Sequence, residues 1–261
     1  MRFSLNNPAF LQGASNVGGV GEYIRFIDST GNPQIHQLSA IGDVIIQSIY
    51  NGEPTSQTVT NPTDTSIQIQ SDANTEVILF GKITKLYCKP APIHYTHLTS
   101  LDVSHAESLT YLNCYSNQLT SLDVSANTAL TYLNCSSNQL TSLDVSANTA
   151  LTDLYCYSNQ LTSLDVSANT ALTELYCYSN QLTSLDVSAN TALTVLECSE
   201  NSTLLTIDGI GVNEDVAMNI ASAITDATSV DGTVTLRQGD EFNQTIIDAA
   251  MEKGWDVQYY Q

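Results

Sequence analysis

LTSLDVSANTALTYLNCSSNQ, residues 119–139, is one of five near-copies of a 21-residue unit that run head to tail. Its opening heptad LTSLDVS recurs at residues 98, 119, 140, 161 and 182. A unit this short has too little apolar surface to close a core alone, so the copies must stack and share one. Each unit holds two apolar segments. One is L-x-x-L-x-V, as in Leu119, Leu122 and Val124; the other is L-x-x-L-x-C-x-x-N, as in Leu130, Leu133, Cys135 and Asn138. The second predicts parallel strands at 111–115, 132–136, 153–157, 174–178 and 195–199. The first covers the opposite wall.

With cysteine in its third apolar place, L-x-x-L-x-C-x-x-N resembles the leucine-rich repeat pattern. The 21-residue period makes residues 98–201 similar to the cysteine-ladder repeats of internalin J-like bacterial proteins and to leucine-rich repeat surface proteins of Bacteroidetes. The resemblance implies a β-dominated solenoid with a parallel sheet. It also implies a recognition role outside a bacterial cell, secreted, surface-attached or host-facing, with no cofactor. It is specific for fold and weak for ligand.

The ends break the repeat. VIIQSIY (44–50), SIQIQ (66–70) and EVILFGKI (76–83) read as strands between Asn, Gly, Pro and Thr turns, so residues 1–82 are expected to be a β-rich N-terminal cap. Residues 1–20, with Gly13 and GGVG at 18–21, read as an extended arm that docks into an assembly. ITKLYC (83–88) looks like a degenerate repeat half opening a solenoid over 83–207, and KPAPIHYTH (89–97) like an inserted loop. Residues 208–261 are expected to form a helix-containing C-terminal cap: helices over 214–224 and 240–254, strands at 233–237 and in WDVQYY. Without such a cap the last edge would pair with another chain.

The 21-residue spacing stacks identical residues into columns. Cys114, Cys135, Cys156, Cys177 and Cys198, with Cys88 at the head, occupy a site that is normally leucine, and free cysteine packs as a small hydrophobe. Disulfides between in-register neighbours are disfavoured by geometry, and zinc sites use closer ligand pairs. Asn117, Asn138, Asn159, Asn180 and Asn201, and Asn127, Asn148, Asn169 and Asn190, are expected to bond backbone at the two turns. The first unit has His105-Ala106-Glu107 instead. Asp102, Asp123, Asp144, Asp165 and Asp186 form an acidic column whose neighbours repel by roughly 0.8 kcal/mol in bulk water. Hydrogen bonds from nearby Ser and Thr offset this in the simpler reading, and weak calcium sites would do so in the sharper one. His94, His97 and His105 gather near Cys88, but their spacing does not carry a metal site.

The copies differ where the strand should face outward. Successive units read Tyr111, Tyr132, Asp153, Glu174, Val195 at one position. They read Asn113, Asn134, Tyr155, Tyr176, Glu197 at the next, and Tyr115, Ser136, Tyr157, Tyr178, Ser199 at a third. Seven of the 13 tyrosines fall here, while residues 98–201 contain no Lys or Arg. Alternation with buried Leu and Cys should present these positions on the concave sheet. Tyrosine gives large contact area at low entropy cost. Tyr111, Tyr132, Asp153, Tyr155, Tyr157, Glu174, Tyr176, Tyr178 and Glu197 are therefore the candidate partner-binding residues.

The chain carries 7 Lys and Arg against 27 Asp and Glu, a net charge of −20. Such a surface repels nucleic acid and anionic bilayers and suits a cationic protein or a neutral glycan. No apolar run is long enough to span a membrane. The opening MRFSLNNPAFLQG lacks a secretory apolar stretch, so either a leader is removed or export takes another route. No nucleophile–base order, phosphate loop or paired carboxylate supports an enzyme. The expectation is a non-enzymatic recognition or adhesion module. A virion fibre or decoration protein of a phage infecting Bacteroidetes is the alternative, resting on the arm and the missing leader.

Overall fold

The computed structural model describes residues 21–28, 34–68, 73, 76–88, 98–198, 200–201, 206–208, 233–237, 243–253 and 256–260. The expected arm, the loop at 89–97 with His94 and His97, and the helix at 214–224 lie outside the described residues.

The cap is built from β1 (Tyr23–Asp28), β2 (Gln34–Tyr50), β3 (Glu53–Val59), β4 (Thr65–Gln68) and β5 (Glu76–Tyr87), all paired antiparallel. Asn51 and Gly52 join β2 to β3 with φ of 53° and 76°. Two successive positive φ values make the hairpin turn whose twist matches the strands, and Asn-Gly is the pair that adopts it most readily. β5 runs through residue 82 into the repeats. Its first part lies between β1 and β2, and Lys85–Tyr87 pair parallel with β7 (Tyr111–Asn113). ITKLYC is thus the end of a cap strand and the first rung of the repeat sheet.

From β7 the sheet continues through β8 (Tyr132–Asn134), β9 (Asp153–Tyr155), β10 (Glu174–Tyr176) and β12 (Val195–Glu197). Every pair is parallel and in register by one unit, as in Leu112 opposite Leu133. The strands have three residues rather than the five expected. Two residues after each cysteine the backbone enters the left-handed region, at Ser116, Ser137, Ser158, Ser179 and Glu200, with φ between 51° and 56°. That bend ends the extended run, although inter-unit bonds such as Cys114 N–H to the Asn134 carbonyl continue (2.8 Å).

On the opposite wall LTSLDVS is extended only where a partner strand exists. The first copy is β6 (Leu98–His105), paired antiparallel with β1; β1 thereby fills the gap between β5 and β6 and covers the open first turn. The fifth contributes β11 (Ser184–Asp186), which starts a parallel sheet with β13 (Thr206–Asp208), β14 (Thr233–Arg237) and β15 (Asp256–Tyr260). Helix α1 (Asn243–Lys253) connects the last two strands and buries Ile246 and Ala250. The strand at 233–237 and the second helix expected in the C-terminal cap are therefore present.

One apolar column fills the solenoid. In each turn Leu109, Leu112, Cys114, Leu119 and Val124, or their equivalents, are buried, except Leu193 of the last unit, which is half-buried. All six cysteines are free and buried. Desolvation pushes the Cys135 and Cys198 thiols up to about 12, so they stay protonated and inert.

The asparagine columns hold the turns. Asn138 Oδ1 accepts from Leu119 N–H (3.0 Å), and its Nδ2 donates to the carbonyls of Cys114 and Cys135 (3.0 Å each). Asn148 Nδ2 donates to the Val124 and Asn127 carbonyls of the previous unit (2.9 Å each). A threonine column adds a bond that sequence reading missed. Thr131, Thr152, Thr173 and Thr194 each donate Oγ1–H to the carbonyl of the threonine one unit earlier, at 3.0–3.1 Å. The first unit departs because no earlier repeat turn stands before it. Ala106 replaces the asparagine, and Glu22 from the cap takes Ser108 N–H (2.9 Å) and Oγ–H (2.7 Å).

Candidate functional site

Each wall of the solenoid carries a column of side chains outside the core. On the opposite wall, Asp123, Asp144, Asp165 and Asp186 each accept the N–H of the serine two residues on, at 2.8–2.9 Å. Serine hydroxyl and backbone N–H bonds hold Asp123, Asp144 and Asp165 below the usual carboxylate range. Local turns therefore occupy these side chains, as the simpler reading expected. Asp102 differs: it meets the Arg25 guanidinium as well as Ser104. Among the described residues no cluster of His, Cys, Asp or Glu could hold a metal ion. His105 instead stacks on Tyr23 at 4.2 Å between ring centroids.

The repeat sheet brings the candidate tyrosines together. Parallel strands lie about 4.8 Å apart, within the centroid separation that offset-stacked rings prefer. Tyr111 and Tyr132 stack at 4.2 Å with planes 8° apart. The run then shifts one position, because the third and fourth units carry their tyrosine two residues later. Tyr132 meets Tyr155 at 5.4 Å, and Tyr155 stacks on Tyr176 at 4.8 Å. A second row pairs Tyr157 with Tyr178 at 4.5 Å. All six rings are half-buried, as expected of side chains that stand on a sheet and lean on one another.

The carboxylates are woven into this array. Tyr155 donates its hydroxyl to Glu174 Oε2 at 2.5 Å, and the Thr152 hydroxyl shares its one proton between Asp153 Oδ2 at 2.6 Å and the Thr131 carbonyl at 3.1 Å. Burial first, and then the Glu174 carboxylate, push the Tyr155 phenol far above its ordinary range. Tyr132 is pushed up to about 12, chiefly by burial. At the head of the stack Lys85 places Nζ 5.0 Å above the Tyr111 ring while pairing with Asp64 at 3.0 Å.

Three positions expected to face outward do not. Asn113, Asn134 and Ser136 are 5%, 8% and 0% exposed. Asn134 Oδ1 accepts both the N–H and the hydroxyl of Ser136 (3.1 and 2.6 Å), so a short polar residue folds into the turn where a tyrosine would stand up. Ser199 lies outside the described residues. The sequence reading also overlooked Lys85, since its place over Tyr111 exists only because β5 joins the repeat sheet.

Parallel strands in register, a stacked Leu-Leu-Cys core and an asparagine at each turn define a leucine-rich repeat solenoid with a cysteine ladder. The family model "Leucine Rich repeats (2 copies)" matches residues 107–148 and 128–169. Among solved structures, the chain is similar to a functional domain of InlJ from Listeria monocytogenes that includes a cysteine ladder. Identity is 29% over 69% of this chain and 51% of that one, with a TM-score of 0.35. It is also similar to the internalin InlF of Listeria monocytogenes, at 22% identity over 61% of this chain and 51% of that one, with a TM-score of 0.34. This chain thus spans about half the length of each. No curated protein matches. None of the described helices is long and apolar enough to cross a membrane.

Proposed function

We propose that the chain is a non-enzymatic recognition or adhesion module, working outside a bacterial cell, that binds a protein through the concave repeat sheet. The supporting observation is that variation among otherwise near-identical units collects into two tyrosine stacks edged by Asp153, Glu174 and Glu197. The framework columns are consumed by the fold, whereas these aromatic side chains stand outside the buried core. Stacking favours a protein over a glycan. Sugars dock on ring faces, and here neighbouring rings already cover most faces, leaving hydroxyls and edges for a hydrogen-bonding partner. The cap at 1–82 and the C-terminal units at 208–261 serve as end pieces for the solenoid at 83–207.

The test is an immobilised chain probed with arrays of bacterial and host surface proteins and of glycans. Hits are compared between Tyr155→Ala/Tyr176→Ala and Asp144→Ala on the opposite wall. Loss of a protein hit in the tyrosine pair alone is the expected result. Loss in Asp144→Ala alone removes the concave face from the proposal.

A further inference from the structure

The two ends of the tyrosine stack carry opposite charge. In the sheet register Lys85 lies directly opposite Tyr111, and Glu197 lies directly opposite Tyr176. At the first end the ammonium of Lys85 sits over the outer face of Tyr111 at 5.0 Å. At the last end Tyr176 has Tyr155 against one face, and the strand beyond it offers a carboxylate. Glu174 flanks the same ring from its own strand, two residues away. The second row ends at the same place: burial and then Tyr157 raise the Tyr178 phenol, with Glu200 and Glu197 adding to them, and burial and then Glu174 and Glu197 raise that of Tyr176. Residues 98–201 hold no Lys or Arg, and among the described residues the ion pairs are those of Arg25 and Lys85. Glu174 and Glu197 therefore meet no cation there.

Building on the recognition reading above, we infer that the last end of the stack, Tyr176 and Tyr178 with Glu174 and Glu197, is the seat for an arginine or lysine side chain of the partner protein. The chain itself shows that this stack takes a cation on its end face, because Lys85 does so at the other end. A cation over a tyrosine face is drawn by the ring quadrupole, and two carboxylates at the rim add charge and hydrogen-bond acceptors. A planar guanidinium could stack on the ring while its N–H groups reach both carboxylates, so arginine should be preferred over lysine. The first end cannot play this part, since Lys85 fills it.

The experiment uses the full chain and Nα-acetyl-arginine methylamide, with the neutral citrulline analogue as control, followed by tyrosine ring NMR. The expected result is a saturable shift of the Tyr176 and Tyr178 rings with the arginine probe only. Glu197→Gln should weaken it roughly three- to tenfold, the range for one carboxylate beside a cation–ring contact. Asp165→Asn, an equal loss of charge on the opposite wall, should leave it unchanged. Equal shifts from both probes, equal weakening by both variants, or no saturable shift would overturn the inference. A protein hit that survives Glu197→Gln but is lost in Tyr155→Ala/Tyr176→Ala would overturn the cation seat and leave the recognition reading standing. A hit that survives the tyrosine pair would remove the recognition reading itself.

Discussion

The guanidinium of Arg25 reaches the carboxylate of Asp102 across the β1–β6 pair, through Nε at 3.1 Å and through Nη2. Asp102 is the first member of the aspartate column, and Arg25 projects from the strand that closes the solenoid. Its Nη1 also lies 3.8 Å from Glu76 on β5. The pair thus joins cap and repeats where a free edge would otherwise invite aggregation.

Arg25→Met should loosen that junction. Both side chains are about 30% exposed, so solvent screening limits the loss to about 1–2 kcal/mol. Urea unfolding of the single variants and of Arg25→Met/Asp102→Asn checks it. A coupling near zero in that cycle would mean the contact holds nothing.

The same pair sets an acid limit. Partial burial pulls Asp102 upward, but the Ser104 hydroxyl, Arg25 and the Ser104 N–H outweigh it and hold the carboxyl at about 2 instead of 3.8. A depressed carboxyl stabilises the fold above its unfolded value and loses that contribution as pH falls through the folded one. The stability difference between the natural chain and Asp102→Asn should therefore shrink from pH 4 to pH 2. Chemical denaturation at stepped pH reads it, and a constant difference would refute the assignment.

Asn148 should be costly to replace. Its Nδ2 feeds two backbone carbonyls one unit back, while its Oδ1 is buried without a partner, as are those of Asn127, Asn169 and Asn190. Asn148→Ala removes two inter-unit hydrogen bonds while the Val124 and Asn127 carbonyls keep the N–H groups of Asn127 and Leu130, a loss of about 1–3 kcal/mol for the two bonds. Asn148→Asp is worse, since a carboxylate would face the same two oxygens. Thermal melts should rank natural chain, Ala, then Asp; equal values for the two variants would contradict the bond assignment.

The period, the register and the cysteine, asparagine and aspartate columns were legible from the spacing of LTSLDVS, because stacking converts a sequence repeat directly into neighbours; the hydrogen-bonded threonine column was not. β3, EPTSQTV, was not, since six of its seven residues are polar or proline and leave no alternation to read. β1 does alternate, with Ile24 and Phe26 buried around Arg25, but its strand partners are 49–57 residues away on β5 and 70–82 on β6, and only the fold brings them close. The candidate tyrosines were found by asking where copies differ. Their mutual stacking, and the loss of Asn113, Asn134 and Ser136 to the turn, depend on side-chain length and on a left-handed bend that the pattern of apolar residues does not encode.

That bend predicts an unusual tolerance. Ser158 sits at φ 53°, where side chains are strained and glycine is not. Ser158→Gly trades that relief against extra freedom in the unfolded chain, so its effect should stay within about 0.5 kcal/mol. Ser158→Val adds a branched Cβ to the same backbone and should cost about 1–2 kcal/mol. Equal melting temperatures for the two would place the bend elsewhere.

Cys135 is fully buried in the ladder. Cys135→Ala should leave a small cavity and cost on the order of 1–3 kcal/mol. A maleimide should label the native thiols slowly and all six at once in denaturant. Fast labelling of the native protein would refute the ladder.

The alkaline limit should mirror the acid one and trace to the tyrosine stack. Burial first, with neighbouring charge, holds the Tyr132 phenol at about 12 rather than 10, and desolvation holds Cys135 at about 12 rather than 9. For a group whose folded value is raised, stability is complete below the unfolded value and is lost as pH climbs through the folded one. The fold should thus weaken between pH 9 and pH 12, with the cysteine contribution fading first. Tyr132→Phe removes one ionisable member and keeps the ring that stacks on Tyr111. It should melt like the natural chain at neutral pH and retain more stability at pH 11. Ultraviolet difference titration adds an independent reading: at pH 11 Tyr132 stays largely un-ionised in the folded chain, so Tyr132→Phe leaves the phenolate signal nearly unchanged. A signal that drops by a full tyrosine would mean that the ring is open to solvent and that the stack does not persist in solution.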